Sequence, residues 1–243
     1  MLEPWRKGII TKIEQATPTT RRFFITIPEI EIFDFKPGQF VTLDLPIHEQ
    51  KNKRWRSYSI ASAQNGTNTF ELIIVLLPNG LGTTYLFKGA DVGTEIMLRG
   101  PVGVFTMPPV LDKDLYLICT GTGIAPFRSM VHYIHKNKIP HRNIYLIFGC
   151  RTLPDALYKD EMIALAANEP NFFYQPTFSK VTDVPVGFSR GYVHAVYEKI
   201  IRENNFAPAN FYLCGWKEMI DEARERIVQL GYEKKDIHFE LYG

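Results

Sequence analysis

A change of rhythm at Pro108-Pro109 constrains this chain more than any other feature. Ahead of it, short runs rich in β-branched and aromatic residues recur between turn residues: Arg22 to Ile27, Gln39 to Leu45, Trp55 to Ala61, Phe70 to Leu77 and Glu95 to Leu98. Runs of this length and spacing predict an antiparallel barrel. One helix is expected at Gly82 to Lys88, between the glycines of NGLG and Gly89. Beyond the prolines, apolar strands near Leu115, Ile144, Phe172, Phe211 and Ile237 alternate with helices near Ala125, Leu157, Val196 and Ala223. That alternation predicts a doubly wound parallel sheet. The expected class is therefore β + α/β: an antiparallel β-barrel domain over 1–109, then a parallel-sheet nucleotide-binding domain over 110–243.

At 243 residues, 45% hydrophobic and 22% charged, the chain can build both cores. Its longest aliphatic run, Leu72 to Leu77, is far short of the roughly 20 residues that span a bilayer, and MLEPWRKG lacks the apolar stretch of a signal peptide. A cytoplasmic protein with no membrane insertion is expected. Cys119, Cys150 and Cys214 are too scattered for a disulfide framework or a metal site, so no metal is expected and any redox group is organic. A net charge of +2 gives no reason to expect nucleic acid.

In a doubly wound sheet, ligands bind beyond the carboxyl ends of the strands. Here those ends read Thr120 to Pro126, Gly149 to Thr152, Thr177 to Lys180, Cys214 to Trp216 and Glu240 to Tyr242. Gly121 and Gly123 permit a tight turn into a helix whose free N–H groups favour a pyrophosphate, although a plain strand-to-helix connection also explains them. The segment is not the GxGxxG fingerprint. No acidic residue ends the second strand to take the ribose hydroxyl of NAD. Arg151, Ser179, Lys180 and Arg190 instead suit a 2′-phosphate, or are solvated rim charges; NADP(H) is expected over NAD(H). On the barrel side, Arg56 and Tyr58 alternate with Ser57 and Ser59 across a strand. They offer a cation, an aromatic plane and hydroxyls.

Seven blocks tie these fragments together: RSYSIAS (56–62), GLGTTYL (80–86), GPVGVF (100–105), TGTGIAPFRSM (120–130), FGCRT (148–152), LCGWKEM (213–219) and ELY (240–242). In these blocks, their order and their spacing, the sequence resembles the ferredoxin–NADP reductase family over nearly its whole length. The resemblance implies FAD, with FMN less favoured. It places Arg56 on the flavin diphosphate, Tyr58 on the isoalloxazine and Ser59 near its N5, with Ser57 on the same strand. Ile73, Ile74 and Val75 would line the flavin through main chain, and Leu81, Gly82 and Thr83 would offer helix N–H groups to the diphosphate. Thr83 stands where the family usually has Ser.

For the nucleotide, the resemblance assigns Thr120, Gly121 and Gly123 to the pyrophosphate. Ser179, Lys180, Arg190 and Tyr192 go to the 2′-phosphate and adenine, Lys180 standing where Arg is common. Cys214, Gly215 and Glu240 are placed by the nicotinamide, and Tyr242 is placed over the flavin, where Gly243 is an extra residue that would loosen the cover. Asp155, Tyr158 and Glu161 read as capping and packing. Ser59, Cys214 and Glu240 are the expected catalytic groups.

The implied activity is hydride transfer between NAD(P)H and FAD, with electrons passed to or from a ferredoxin or flavodoxin. The loop His48 to Arg56, with Lys51, Lys53, Arg54 and Arg56, would steer such an acidic carrier. Two alternatives stand beside it. One is an NADH-dependent reductase component of an oxygenase, or a free-flavin reductase. The other is a non-enzymatic flavin-binding regulatory subunit.

Overall fold

A computed structural model describes residues 3–242. The first half holds β1 (Trp5–Thr17), β2 (Thr20–Thr26), β3 (Phe40–Asp44), β4 (Trp55–Ser59), β5 (Thr69–Val75), helix α1 (Leu81–Lys88) and β6 (Glu95–Val102). The six strands form one antiparallel sheet ordered β4-β3-β6-β1-β2-β5. A single bridge between Ile60 and Leu72 joins its two ends, supported by Ala61 N–H donating to the Glu71 carbonyl at 2.8 Å, and closes the barrel. Alternation decides what faces inward: on β6, Ile96 and Leu98 are buried while Glu95 and Met97 are exposed. Ile10, Ile25, Val41, Leu43 and Leu72 complete the core.

The runs read from the sequence omit β1, the longest strand. It has register shifts between Ile10 and Lys12 and between Gln15 and Thr17. Each shift resets which face a residue takes, so the period-2 signal breaks into pieces too short to register as one strand.

The second half holds β7 (Asp114–Thr120), α2 (Ile124–Lys136), β8 (Ile144–Cys150), α3 (Lys159–Asn168), β9 (Phe172–Phe178), β10 (Ser189–Arg190), α4 (Val193–Glu203), β11 (Ala209–Gly215), α5 (Lys217–Gln229) and β12 (Ile237–Leu241). Its sheet runs β10-β9-β8-β7-β11-β12 with every pair parallel. Its central strands are buried throughout, as in Leu115 to Cys119, because helices cover both faces of such a sheet. The helix expected near Leu157 begins only at Lys159, after Tyr158 takes a left-handed φ of 54°. Among the described residues no helix is long and apolar enough to cross a membrane.

The chain forms two compact units, Met1–Met107 with Ala125–Lys136, and Pro108–Ile124 with Asn137–Gly243. Most of α2 thus belongs with the barrel. Its Phe127 ring lies 5.9 Å from that of Phe105, and Arg128 donates to the Ala61 carbonyl at 2.9 Å.

Candidate active site

Within the barrel unit, β4 sets Arg56 and Tyr58 opposite the core residues Leu43 and Val41. Tyr58 packs half-buried against the core, and burial pushes its hydroxyl up to about 12, with the Arg56 charge pulling the other way. Ser57 faces outward, its hydroxyl 3.0 Å from Thr42 Oγ1, and Ser59 is buried. Beside them, β5 pairs with β2 from Thr69 to Val75, whereas its other edge carries only the bridge at Leu72. Ile73, Ile74 and Val75 therefore lie beyond the last cross-barrel bridge, where a strand edge presents main-chain donors and acceptors.

The amino end of α1 meets Arg56. A Cβ added to Gly82 would stand 2.9 Å from Arg56 Cγ, so only glycine admits the arginine across this turn. Arg56 Nη1 donates to the carbonyls of Trp55 at 2.7 Å and Lys53 at 3.1 Å. Thr84 N–H donates to the Gly80 carbonyl at 2.8 Å and starts the helical ladder. The N–H groups of Leu81, Gly82 and Thr83 lie ahead of it and carry the positive end of the helix dipole. The Thr83 hydroxyl accepts from Leu77 N–H and donates to the Gly80 carbonyl, which closes the turn. A guanidinium and a helix amino end on one spot suit a diphosphate, a half-buried phenol ring suits an aromatic plane, and an open strand edge suits a ring with hydrogen-bonding atoms. The residues present fit FAD.

In the α/β unit, strand order reverses about β7, with β8 on one side and β11 on the other. Ligands bind at such a switch point. The two glycines of the turn after β7 do different jobs. Gly121 has a φ of +54° and open space where a side chain would be. A Cβ on Gly123 would stand 2.3 Å from the Cys214 carbonyl oxygen, so that glycine lets two strand ends pack. Gly215 is equally tight, 2.4 Å from Thr120 Oγ1 on the same basis.

Cys214 is fully buried, in register with Cys119 and Glu240. Burial pushes its thiol well above the usual range, the Glu240 carboxylate adds to this, and a hydrogen bond with Tyr242 opposes it. The group is a neutral thiol rather than a nucleophile. Tyr242 N–H donates to the Gly215 carbonyl at 3.1 Å, which fixes its backbone beside Cys214. Gly243 lies outside the described residues.

Farther along the same rim, main-chain bonds draw the cationic positions together. Lys180 N–H donates to the Arg151 carbonyl at 2.9 Å, Ser179 N–H to Cys150 at 3.0 Å and Gly191 N–H to Phe178 at 3.0 Å. Thr177 Oγ1 donates to the Gly191 carbonyl at 3.1 Å. Arg151, Lys180 and Arg190 are exposed, and among the described residues none of the three forms an ion pair. Tyr192, 72% exposed, precedes α4. Asp155 is the first acid after β8, and its Oδ2 accepts from Thr152 N–H at 3.0 Å and Thr152 Oγ1 at 2.7 Å. Thr152 and Thr177 were not candidates in the sequence, since a single threonine at a strand end carries no pattern.

In the loop before β4, Arg54 pairs with Asp44 at 2.6 Å, leaving Lys51 and Lys53 as its exposed cations.

The oxidoreductase FAD-binding domain model matches residues 7–107, and the oxidoreductase NAD-binding domain model matches 117–225. Ferredoxin--NADP reductase B of Sorangium cellulosum is 32% identical over 246 residues, covering 99% of this chain and 98% of that protein. This chain belongs to the ferredoxin–NADP reductase family. The reductase is thus an oxidoreductase with an FAD-binding and a pyridine-nucleotide-binding domain. It is also 30% identical to the anthranilate 1,2-dioxygenase electron transfer component of Acinetobacter baylyi, across 89% of this chain but 61% of that protein. The crystal structure of a ferredoxin NADP+ reductase from Neisseria gonorrhoeae with bound FAD and NADP superposes with a TM-score of 0.82 at 26% identity, covering 98% of each chain.

Proposed function

We propose that this reductase takes hydride from NADPH in preference to NADH and passes the electrons to an acidic ferredoxin- or flavodoxin-like carrier. The observation that carries the nucleotide preference is the cluster of Arg151, Lys180 and Arg190, drawn together by main-chain bonds and without carboxylate partners among the described residues, while Asp155 is hydrogen-bonded to Thr152. Three unopposed cations favour the dianionic 2′-phosphate, and no carboxylate is presented to a ribose diol.

FAD, when bound, supplies the chemistry: it accepts two electrons as hydride and can release them one at a time. The protein's part is positioning. Arg56 and the N–H groups of Leu81, Gly82 and Thr83 hold the diphosphate, and Tyr58 stacks on the ring. Ser59 hydrogen-bonds near the reacting nitrogen, with the main chain of Ile73, Ile74 and Val75 along the ring's polar edge. Thr120 and Gly121 receive the nucleotide pyrophosphate, and Ser179 and Tyr192 join the three cations at its adenosine end. Cys214 and Glu240, as neutral thiol and neighbouring carboxylate, would orient the nicotinamide, with Tyr242 beside them. Lys51 and Lys53 attract the carrier.

Steady-state comparison of NADPH with NADH tests the preference, and a panel of acidic iron–sulfur and flavin carriers tests the acceptor. Equal efficiency with both nucleotides overturns the first part. A second reading, an NADH-linked reductase feeding an oxygenase, is favoured by the similarity to the Acinetobacter component. It is the reading that equal or reversed nucleotide preference would support.

A further inference from the structure

A buried histidine joins the two helices that leave opposite ends of the nucleotide rim. α4 starts directly after Arg190 to Tyr192, assigned above to the adenosine end, and α5 follows Cys214 and Gly215, assigned to the nicotinamide end, after Trp216 alone. His194 lies in the first turn of α4, with its Nε2 3.3 Å from Glu222 Oε2 in the second turn of α5. Its Nδ1 is 3.1 Å from the hydroxyl of Tyr197, a fully buried residue.

These partners fix the state of the ring. Among the described residues the Tyr197 O–H meets no other acceptor, so it donates to Nδ1, and Nε2–H donates to the Glu222 carboxylate. Burial lowers the His194 pKa, and although Glu222 and Glu198 oppose this while Arg226 adds to it, the ring is neutral at pH 7. Glu222 is itself held in place. Its Oε1 receives Arg226 Nη2 at 2.8 Å and Nε at 2.9 Å, which leaves Oε2 for His194. The other tie between these helices, Arg226 Nη1 to Glu198 Oε1 at 2.8 Å, is one turn farther from the rim on each helix.

The starts of both helices are wedged against strand ends. A Cβ on Gly149 would stand 2.9 Å from Val193 Cγ1, next to His194, and Gly191 is bonded to Phe178 and Thr177. Trp216 N–H, at the start of α5, donates to Thr120 Oγ1 at 3.4 Å. The link through His194 therefore runs between two segments that carry proposed nucleotide contacts.

We propose that His194 is a positioning residue for hydride transfer, which sets the spacing between the adenosine and nicotinamide ends of the bound dinucleotide. This rests on the assignment of those two ends made above. A dinucleotide must meet both ends at once, whereas an adenosine fragment needs only one, so altered spacing misplaces the nicotinamide without weakening the fragment. Glutamine carries the same donor and acceptor as a neutral imidazole, and leucine carries neither.

Single-turnover flavin reduction by the FAD-loaded full chain, at saturating NADPH and at saturating NADH, tests this alongside the affinities for ADP and adenosine 2′,5′-bisphosphate. In His194→Leu and Glu222→Ala the rate at saturation is expected to fall at least fivefold with both nucleotides, fragment affinities staying within twofold of the wild type. His194→Gln is expected to keep at least half the rate. Glu222 is half exposed and Arg226 retains Glu198, so Glu222→Ala keeps the test open if His194→Leu does not fold. An unchanged rate in the folded variants, fragment affinity lost in step with rate, or an equal loss in His194→Gln overturns the proposal. Failure of the underlying site assignment shows separately, as a wild-type protein that binds neither fragment, and takes this proposal with it.

Discussion

Arg56 crosses the amino end of α1 directly over Gly82, with 2.9 Å between Arg56 Cγ and the place where a Cβ on residue 82 would be. Gly82→Ala should therefore displace the guanidinium and weaken flavin retention, as should Arg56→Ala. Loss of a charge-assisted contact costs about 1.5 to 3 kcal/mol, roughly a tenfold to hundredfold loss of FAD affinity. Reconstitution of apoprotein with FAD, followed by absorbance, measures it. Unchanged affinity in both variants would remove the pair from the flavin site.

The turn after β7 separates two kinds of glycine. Gly123→Ala sets a methyl group against the Cys214 carbonyl and should destabilise the protein by about 1 to 3 kcal/mol through overpacking. Gly121→Ala meets no atom and should cost only the left-handed backbone conformation, about 1 to 2 kcal/mol. Only the second should impair nucleotide binding beyond its effect on stability. Urea denaturation paired with NADP+ titration separates the two.

If the proposed nucleotide preference holds, Lys180→Ala and Arg190→Ala should each raise KM for NADPH about tenfold, with NADH little affected, because only NADPH carries the 2′-phosphate. Equal losses with both nucleotides would indicate general damage to the rim.

Burial holds the thiols of Cys119 and Cys214 well above 9.0 and that of Cys150 at about 12. The folded state thus keeps protons that the unfolded chain releases once pH passes about 9. Stability should fall above that point, by up to about 1.4 kcal/mol per pH unit for each thiol. Above about pH 10 the tyrosines raised by burial, Tyr58 and Tyr212 among them, should steepen the decline. Urea midpoints at pH 8, 9 and 10 test it, and a Cys150→Ala variant should fall less steeply.

Much of this was legible in the sequence because the informative residues sit where backbone geometry repeats. Alternation put Arg56 and Tyr58 on one face of β4, and the strand–turn–helix pattern located Thr120 to Gly123 at the switch point. The parts that were not legible depend on contacts between distant residues. The bulges of β1 hid a strand of 13 residues. Nothing in the spacing of Asp44 and Arg54 announces their ion pair, which engages one of the three lysines and arginines from Lys51 to Arg54. Membership of α2 in the barrel's compact unit likewise rests on Glu71, Phe105 and Ala61, none of which is near it in the chain.

Thr152 touches neither phosphate nor ribose in the proposed function, yet its hydroxyl occupies the carboxylate of Asp155 beside Arg151. A single change such as Thr152→Val would remove one of the two hydrogen bonds that this carboxylate accepts and keep the other, from the main-chain N–H. The first acid after β8 is thus anchored partly to the backbone, and the local balance of charge on this rim is set by how the turn folds as much as by which side chains it carries.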